Sequence, residues 1–157
     1  MRKKKMALIG SSAVGKSTCC KQLEQVAGAS SMDKQFGKNC PTLVEAIDWI
    51  ENGTVELVVD VSAHENLFAQ MFHARRSCSG QLNNILFVHL YCSVPGIRLE
   101  RLRQSGRQDV EIQCALAWDE LVNDLCKNIA DISINTADIS IDDVIRSILA
   151  IQKAWLN

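Results

Sequence analysis

Apolar runs and helix-like patterns alternate along most of the chain. The clearest apolar runs predict strands over residues 5–9, 55–61 and 85–92, and weaker, shorter signals predict strands over 29–32 and 132–134. Apolar residues at helical spacing predict helices over residues 16–26, 41–51, 64–76, 97–103 and 109–127, and from Ser140 onward. Strands without polar interruption are typically buried on both faces, and strands separated by helices form parallel sheets. The pattern predicts a three-layer α/β fold in which helices flank a parallel sheet of about five strands.

Two of the predicted helices carry apolar residues that should face the core. In the helix over 64–76 these are Leu67, Met71 and Ala74. In the helix over 109–127, the longest, the apolar stripe consists of Cys114, Trp118, Leu121 and Leu125. Ser140, followed three residues later by Asp143, resembles a capping box at the start of the last helix.

Length and composition narrow the class of protein. The 157 residues are enough for one domain over residues 1–157, and 47% hydrophobic with 22% charged residues is ordinary for a folded chain. A net charge of −1 argues against a nucleic-acid-binding protein, and the basic residues 2–5 are expected to be a solvated lead into the first strand. The apolar run after them is too short for a signal peptide or a membrane helix. We therefore expect a cytoplasmic protein with no membrane partner.

The cysteine count is high and odd, at seven. There is no C-x-x-C pair, and the three histidines do not complete a zinc-binding spacing. Cys92 and Cys114 lie in apolar stretches, where a free thiol acts as a small apolar side chain. Structural thiols are the favoured interpretation, with a metal site or disulfides as the alternative.

One motif carries specific chemistry. Residues 10–17 fit the phosphate-binding pattern G-x-x-x-x-G-K-[ST], known as Walker A, between a predicted strand and a predicted helix. Its members are Gly10, Ser11, Ser12, Ala13, Val14, Gly15, Lys16 and Ser17. The glycines let backbone N–H groups surround phosphate oxygens, Lys16 can reach the terminal phosphates, and the Ser17 hydroxyl can bind Mg²⁺. The motif predicts that the chain binds a nucleoside triphosphate together with Mg²⁺.

A carboxylate at the end of the third predicted strand suits the same metal. Asp60 can hold Mg²⁺ through water, which is the role of the second acidic element in nucleotide-binding folds of this kind. The alternative is that Asp60, or Ser62 in its place, caps the following helix. Glu65 and His64 are weaker metal candidates.

The order of these parts resembles the small P-loop kinases, a group that includes shikimate, gluconate, adenylate and deoxynucleoside kinases. The resemblance covers the whole chain and rests on the phosphate loop through Thr18, on Asp33 and Asp60, and on three later segments, 87–91, 99–107 and 130–137. It implies an ATP-dependent phosphotransferase that acts on a small molecule, as a monomer or a homodimer.

The resemblance also implies roles for individual residues. Asp33 resembles the acidic residue that faces the acceptor or the metal, and Arg107 resembles a lid arginine within a short lid at about 103–109. Arg101 and Arg103 resemble residues that hold the adenine or the phosphates. The segment of Asn135, Thr136 and Ala137 resembles the loop beside the adenine ring.

The acceptor is left open by departures from the family pattern. The glycine-rich turn of shikimate kinases is absent at residues 61–66, Gln35 replaces the second acidic residue, and no arginine lies between residues 3 and 74. These departures argue against shikimate as the acceptor, and the short lid argues against AMP.

Several alternatives remain. A nucleoside or nucleotide kinase is one. A small GTPase is another, with Thr42 and Asp60 as switch residues, but this sequence has no guanine-reading motif. A non-kinase ATPase and a nucleotide-binding regulator are further alternatives. The arginines at 98–107 could instead form a solvated helix face paired with Glu100, and Arg75 and Arg76 could bind an acceptor anion or the end of a helix.

Overall fold

The computed structural model describes residues 2–11, 14–37, 39, 41–59, 65–77 and 80–157. Its strands are β1 (Lys5–Ile9), β2 (Ser30–Ser31), β3 (Leu57–Val59), β4 (Ile85–Tyr91) and β5 (Ile132–Asn135). Its helices are α1 (Lys16–Ala27), α2 (Met32–Phe36), α3 (Leu43–Asn52), α4 (Glu65–Ser77), α5 (Pro95–Gln104), α6 (Asp109–Ile129) and α7 (Ile141–Leu156). The strands form one parallel sheet in the order β2-β3-β1-β4-β5, which confirms the predicted fold class.

The sheet lies between two layers of helices. The central strand β1 is buried along its whole length, and its side chains alternate between the two layers. Ala7 and Ile9 pack with α3, α4 and α6, whereas Met6 and Leu8 pack with α1 and α7. Burial of β1 and β3 on both faces explains why their sequences are continuously apolar.

The edge of the sheet near β2 differs from the prediction. The strand predicted over 29–32 is only two residues long, and Met32 instead begins the short helix α2. The Ser31 side chain accepts a hydrogen bond from the Lys34 N–H at 3.1 Å and so caps this helix. The next helix begins two residues later than predicted, because Thr42 forms a capping box with Glu45.

The buried faces of the long helices agree with the prediction in one case and not in the other. Leu67, Met71 and Ala74 of α4 are buried as predicted. Three members of the predicted stripe of α6 are wrong, because Cys114 is exposed, Trp118 is 43% exposed and Leu121 is 41% exposed, whereas the fourth, Leu125, packs against the core. The buried face of α6 instead consists of Ile112, Asp119, Val122, Cys126 and Ile129.

At the basic start of the chain, Arg2, Lys3 and Lys4 are exposed as expected of a solvated lead, whereas the expectation is wrong for Lys5. Lys5 is only 2% exposed, and its ammonium group donates a hydrogen bond to the carbonyl of Gly53. Burial is the main cause of the lowered pKa of Lys5. Arg2 forms an ion pair with the buried Glu51 at 3.0 Å, and Glu51 also accepts a hydrogen bond from the Leu82 N–H.

The end of α4 has a structural role. Arg75 donates hydrogen bonds of 2.6 Å both to the carbonyl of Ile129 and to the carboxylate of Asp131. Asp131 in turn accepts a hydrogen bond from the Phe87 N–H of β4. Of the two interpretations of Arg75, this arrangement favours a structural one, since the guanidinium group ties α4 to the connection between α6 and β5.

The cysteines in the described part of the chain are free thiols. Cys19, Cys20, Cys92 and Cys126 are buried, and Cys114 is exposed. Burial raises the pKa of Cys19 to about 11 and that of Cys126 to about 12, so these thiols stay protonated and unreactive. Cys40 and Cys78 lie outside the described residues. Among the described helices, none is long and apolar enough to cross a membrane.

A buried histidine lies within the apolar layers. His89 of β4 is 2% exposed, and neither ring nitrogen makes a hydrogen bond of normal geometry with a described residue. Burial lowers the pKa of His89 to about 4, although the side chain of Asn123 opposes part of this shift. The imidazole is therefore neutral in the folded protein above that pH.

This histidine should make stability depend on pH. Below the unfolded-state pKa of about 6.5, His89 binds a proton in the unfolded chain but not in the folded protein. The free energy of unfolding therefore falls as the pH drops from about 6.5 to about 4, and then levels off. The loss is on the order of 3 kcal/mol at most. Chemical denaturation of His89→Leu at several pH values should show a smaller loss over that window. The exposed His73, changed to Gln, is the control, and an unaltered slope in His89→Leu would contradict this assignment.

Candidate functional site

The phosphate loop begins at the buried end of β1 and is held against the neighbouring strand. A Cβ atom at Gly10 would lie 2.5 Å from the carbonyl oxygen of Leu90 in β4, so only glycine fits there. At the other end, Gly15 has a φ of 98° and immediately precedes α1. These two glycines let the chain turn sharply from the strand into the helix.

The N-terminus of α1 lies at a cavity, which Gly15, Lys16, Ser17 and Thr18 all line. The N-cap position, Gly15, provides no capping side chain, and the first turn contains no acidic residue. Such an end carries partial positive charge and is suited to an anion. Lys16 is buried and donates hydrogen bonds to the carbonyls of Gly10 and Ser11. This loop therefore fits the phosphates of a nucleotide.

The loop opens into a cavity of about 780 Å³. Ten residues predicted from the sequence line it, namely Ser11, Val14, Gly15, Lys16, Ser17, Thr18, Asp33, Arg101, Arg107 and Thr136. The remaining lining residues are Leu102, Gln104, Ser105, Ile139, Ile141 and Val144. The cavity thus brings together the phosphate loop, the end of β2, the α5–α6 connection and the segment after β5.

One arginine in the cavity is held rigidly. Arg101 donates hydrogen bonds to the Thr136 hydroxyl at 3.2 Å and to the Thr136 carbonyl at 2.9 Å. Thr136 is itself fixed, because its N–H donates to the Tyr91 carbonyl at 2.7 Å. The guanidinium group of Arg101 therefore has one preferred position beside the segment that follows β5.

A second arginine lies on the connection between α5 and α6. Arg107 is exposed and follows Gly106, whose φ of 77° requires glycine. The body of α5 is docked on α6 by Arg98 and the buried Asp119, with 3.9 Å between Nε and Oδ2. The charged group of Arg107 is thus carried on a short connection between two packed helices.

Oxygen ligands for a cation are present on the cavity wall. The Ser17 hydroxyl and the Asp33 carboxylate both line the cavity, from the first turn of α1 and the first turn of α2. Mg²⁺ prefers such oxygens and commonly keeps several waters, so one or two protein ligands suffice. Asp60, the other predicted metal ligand, lies outside the described residues, as do Ser12 and Ala13 of the loop. Within the described chain, no group of three or more His, Cys, Asp or Glu residues could hold a metal ion.

Four described residues of the predicted site do not line the cavity, and one of them, Gly10, lies against Leu90 of β4. Arg103 is exposed on α5. Asn135 accepts hydrogen bonds from the N–H groups of Ser93 and Ala137 and donates to the Ser93 hydroxyl at 2.7 Å. Asn135 therefore joins the ends of β4 and β5, and the roles predicted for Arg103, Asn135 and Ala137 remain predictions.

The apolar part of the wall was not predicted as part of the site. Ile139 is 40% exposed on the segment between β5 and α7, while Ile141 and Val144 belong to the first turn of α7. A signal was present in the sequence, since Ile139 is a large apolar residue in a polar loop just after residues 135–137. Apolar side chains in a pocket with a few polar groups are typical of small-molecule sites.

Comparisons with known proteins agree with this architecture. The shikimate kinase of Acinetobacter baumannii, solved with shikimate, is 13% identical, with a TM-score of 0.59 over 97% of this chain and 94% of that one. The YorR protein of Bacillus subtilis, in complex with phosphorylated GDP, is 16% identical, with a TM-score of 0.63 over 96% of each chain. A gluconokinase of Sinorhizobium meliloti is 14% identical, with a TM-score of 0.62 over 96% of this chain and 92% of that one.

These likenesses establish the fold. The resemblance to small P-loop kinases that the sequence suggests is confirmed at that level. At the level of sequence, no family model matches the chain. None of the curated proteins matches it significantly.

The phosphate loop generates a direct binding prediction. ATP with Mg²⁺ should raise the melting temperature, because a ligand that binds only the folded state stabilises it by mass action. Lys16→Ala should abolish this shift, since the ammonium group is the cation nearest to the loop. Differential scanning fluorimetry with and without nucleotide is the measurement.

The matched control is Lys153→Ala, which removes the same charge from an exposed position on α7. It should keep the full shift. A normal shift in Lys16→Ala would contradict the assignment of residues 10–18 as the nucleotide site.

Proposed function

We propose that this protein is an ATP-dependent phosphotransferase that moves the γ-phosphate of ATP to a small-molecule acceptor. The observation that carries the proposal is one cavity holding a phosphate loop, two arginines and a carboxylate. Phosphoryl transfer needs little covalent help from the protein; it needs the reactants to be positioned and their charge neutralised. The fold shared with a shikimate kinase and a gluconokinase supports the same reaction class.

In this proposal each side of the cavity has a separate task. The loop and Lys16 hold the phosphates, Arg101 and the apolar wall hold the base, and Ser17 with Asp60 hold Mg²⁺, which neutralises phosphate charge when bound. Asp33 accepts the proton of the acceptor hydroxyl, and Arg107 comes over the transferring group as the short lid at about 103–109 closes. The chain acts as one nucleotide-binding domain, over residues 1–157, in the cytoplasm.

The acceptor is to be identified by experiment. Sugars, small acids, nucleosides and nucleotides, each supplied with ATP and Mg²⁺, should be scored for ADP release above the rate without acceptor. We expect one chemical class to accelerate release, and the phosphorylated product should be identified by mass spectrometry. Accelerated ADP release with nucleosides or nucleotides would identify a nucleoside or nucleotide kinase. ATP binding with no accelerated release in any arm would favour a regulator, and preference for GTP would favour a GTPase.

The two cavity arginines should differ kinetically. Arg107 lies on an exposed connection and reaches the phosphates only when the proposed lid closes, so its charge acts mainly in the transition state. Its loss should lower kcat on the order of 10³-fold. Arg101 is fixed by Thr136 before reaction and should mainly raise the KM for ATP when replaced. Steady-state kinetics of Arg107→Ala and Arg101→Ala are the measurement.

Arg146→Ala is the control, because it removes an exposed arginine of α7 that does not line the cavity. It should leave both constants close to wild type. If Arg101→Ala and Arg107→Ala instead change kcat and the KM for ATP equally and only slightly, the arginines of residues 98–107 form a solvated basic surface.

Asp33 should be needed for turnover and not for folding. Replacing a general base commonly costs about 10²- to 10⁴-fold in rate, so Asp33→Asn should lower kcat by that order with an acceptor found in the panel. The side chain is exposed, so the melting temperature should change little. Asp48→Asn, an exposed aspartate on α3, is the control. Wild-type turnover in Asp33→Asn would rule out its role as the acceptor base.

A further inference from the structure

Two oxygen atoms of Thr136 face the guanidinium group of Arg101. The hydroxyl accepts a hydrogen bond from one terminal nitrogen at 3.2 Å, and the carbonyl accepts one from the other terminal nitrogen at 2.9 Å. A guanidinium group bound through two nitrogens cannot turn about one bond without breaking the other, so such a pair fixes its orientation as well as its position. The orientation of Arg101 therefore depends on where the two oxygens of Thr136 point.

The hydroxyl of Thr136 is aimed by the end of β4. It donates a hydrogen bond to the Tyr91 carbonyl at 3.2 Å, which turns its lone pairs toward Arg101. The N–H of Thr136 donates to the same carbonyl at 2.7 Å, and the residue is only 4% exposed. Because the Tyr91 carbonyl has this second donor, loss of the hydroxyl would leave no backbone group of β4 unpaired.

The carbonyl of Thr136 is aimed by Asn135. This carbonyl and the N–H of Ala137 belong to one planar peptide unit, so whatever fixes the N–H also fixes the direction of the carbonyl. The Ala137 N–H donates to Oδ1 of Asn135 at 3.1 Å. Asn135 is in turn anchored on Ser93, whose N–H donates to Oδ1 at 3.2 Å and whose hydroxyl accepts from Nδ2 at 2.7 Å. Asn135 thus holds the peptide that contacts Arg101, although Asn135 does not itself line the cavity.

We propose that Asn135 and Thr136 are positioning residues that act on ATP through Arg101, by holding its guanidinium group in place before the nucleotide binds. The proposal rests on the proposed role of Arg101 in holding the nucleotide. A side chain that is already ordered loses less conformational entropy when the ligand arrives, and so it binds the ligand more tightly. The two residues therefore lower the Kd for ATP without contacting it through their own polar side-chain atoms.

Isothermal titration with ATP and Mg²⁺ tests the role of the hydroxyl. Thr136→Val keeps the shape of the side chain and removes the hydroxyl, so the Kd for ATP should rise about fivefold, which corresponds to one hydrogen bond. The KM for ATP should rise equally with little change in kcat, and the melting temperature without nucleotide should change little. Thr136→Ser keeps the hydroxyl and should restore tight binding. Thr54→Val, at an exposed threonine that does not line the cavity, is the matched control and should bind like wild type.

A double-mutant cycle separates action through Arg101 from direct contact with the nucleotide. In an Arg101→Ala background the phosphate loop still binds ATP, and Thr136→Val should raise the Kd no further. Asn135→Ala is the second variant, which frees the peptide and should raise the Kd only when Arg101 is present. A wild-type Kd in either variant, or the full rise in the Arg101→Ala background, would overturn the proposal.

Failure of the proposed function gives a different pattern of results. Wild-type protein that binds ATP and transfers no phosphate would refute the phosphotransferase alone, since the titrations measure affinity and need no turnover. Wild-type protein that binds no ATP would overturn both proposals.

Discussion

The contact between the end of β1 and the neighbouring strand β4 determines where the site can form. Gly10 lies so close to the Leu90 carbonyl that no side chain fits between them, and the loop that follows must turn away from the sheet at that point. Because β1 is central and all five strands are parallel, the ends of β2 and β5 reach the same edge. Asp33 and Thr136 therefore enter the cavity beside the loop, although they are separated by about a hundred residues of sequence.

Much of the fold could be predicted because burial in the sheet requires apolar residues, and these form clear runs in the sequence. Strands β1, β3 and β4 are apolar on both faces, as central strands of a covered sheet must be. The helix α2 could not be predicted, since five residues are too few to show a helical period. The burial of Lys5 depends on the carbonyl of Gly53, a partner far away in sequence that local patterning cannot supply.

The error on α6 has a different origin. The stripe of Cys114, Trp118 and Leu121 carries no charge, whereas Asp119 interrupts the face that is buried, so periodicity alone assigns the uncharged stripe to the core. The helix instead buries Asp119, whose carboxylate lies 3.9 Å from the Arg98 guanidinium of α5. In the site, the loop and both arginines could be predicted from motif and resemblance. Ile139 left a weak signal, as an apolar residue in a polar loop, and Ile141 left none. Apolar residues of a binding site carry no chemical signature until the fold brings them beside polar ones.

The fixation of α5 has a consequence for how well the site can keep water out. Arg101 is held by Thr136 and Arg98 is paired with Asp119, so both the middle and the start of α5 are anchored. Within the described segment that follows β4, the connection around Ser105, Gly106 and Arg107 is the part that closes over a bound triphosphate in the proposed reaction. So small a cover shields the terminal phosphate incompletely, and water can then compete with the acceptor for it. We therefore expect slow hydrolysis of ATP in the absence of an acceptor.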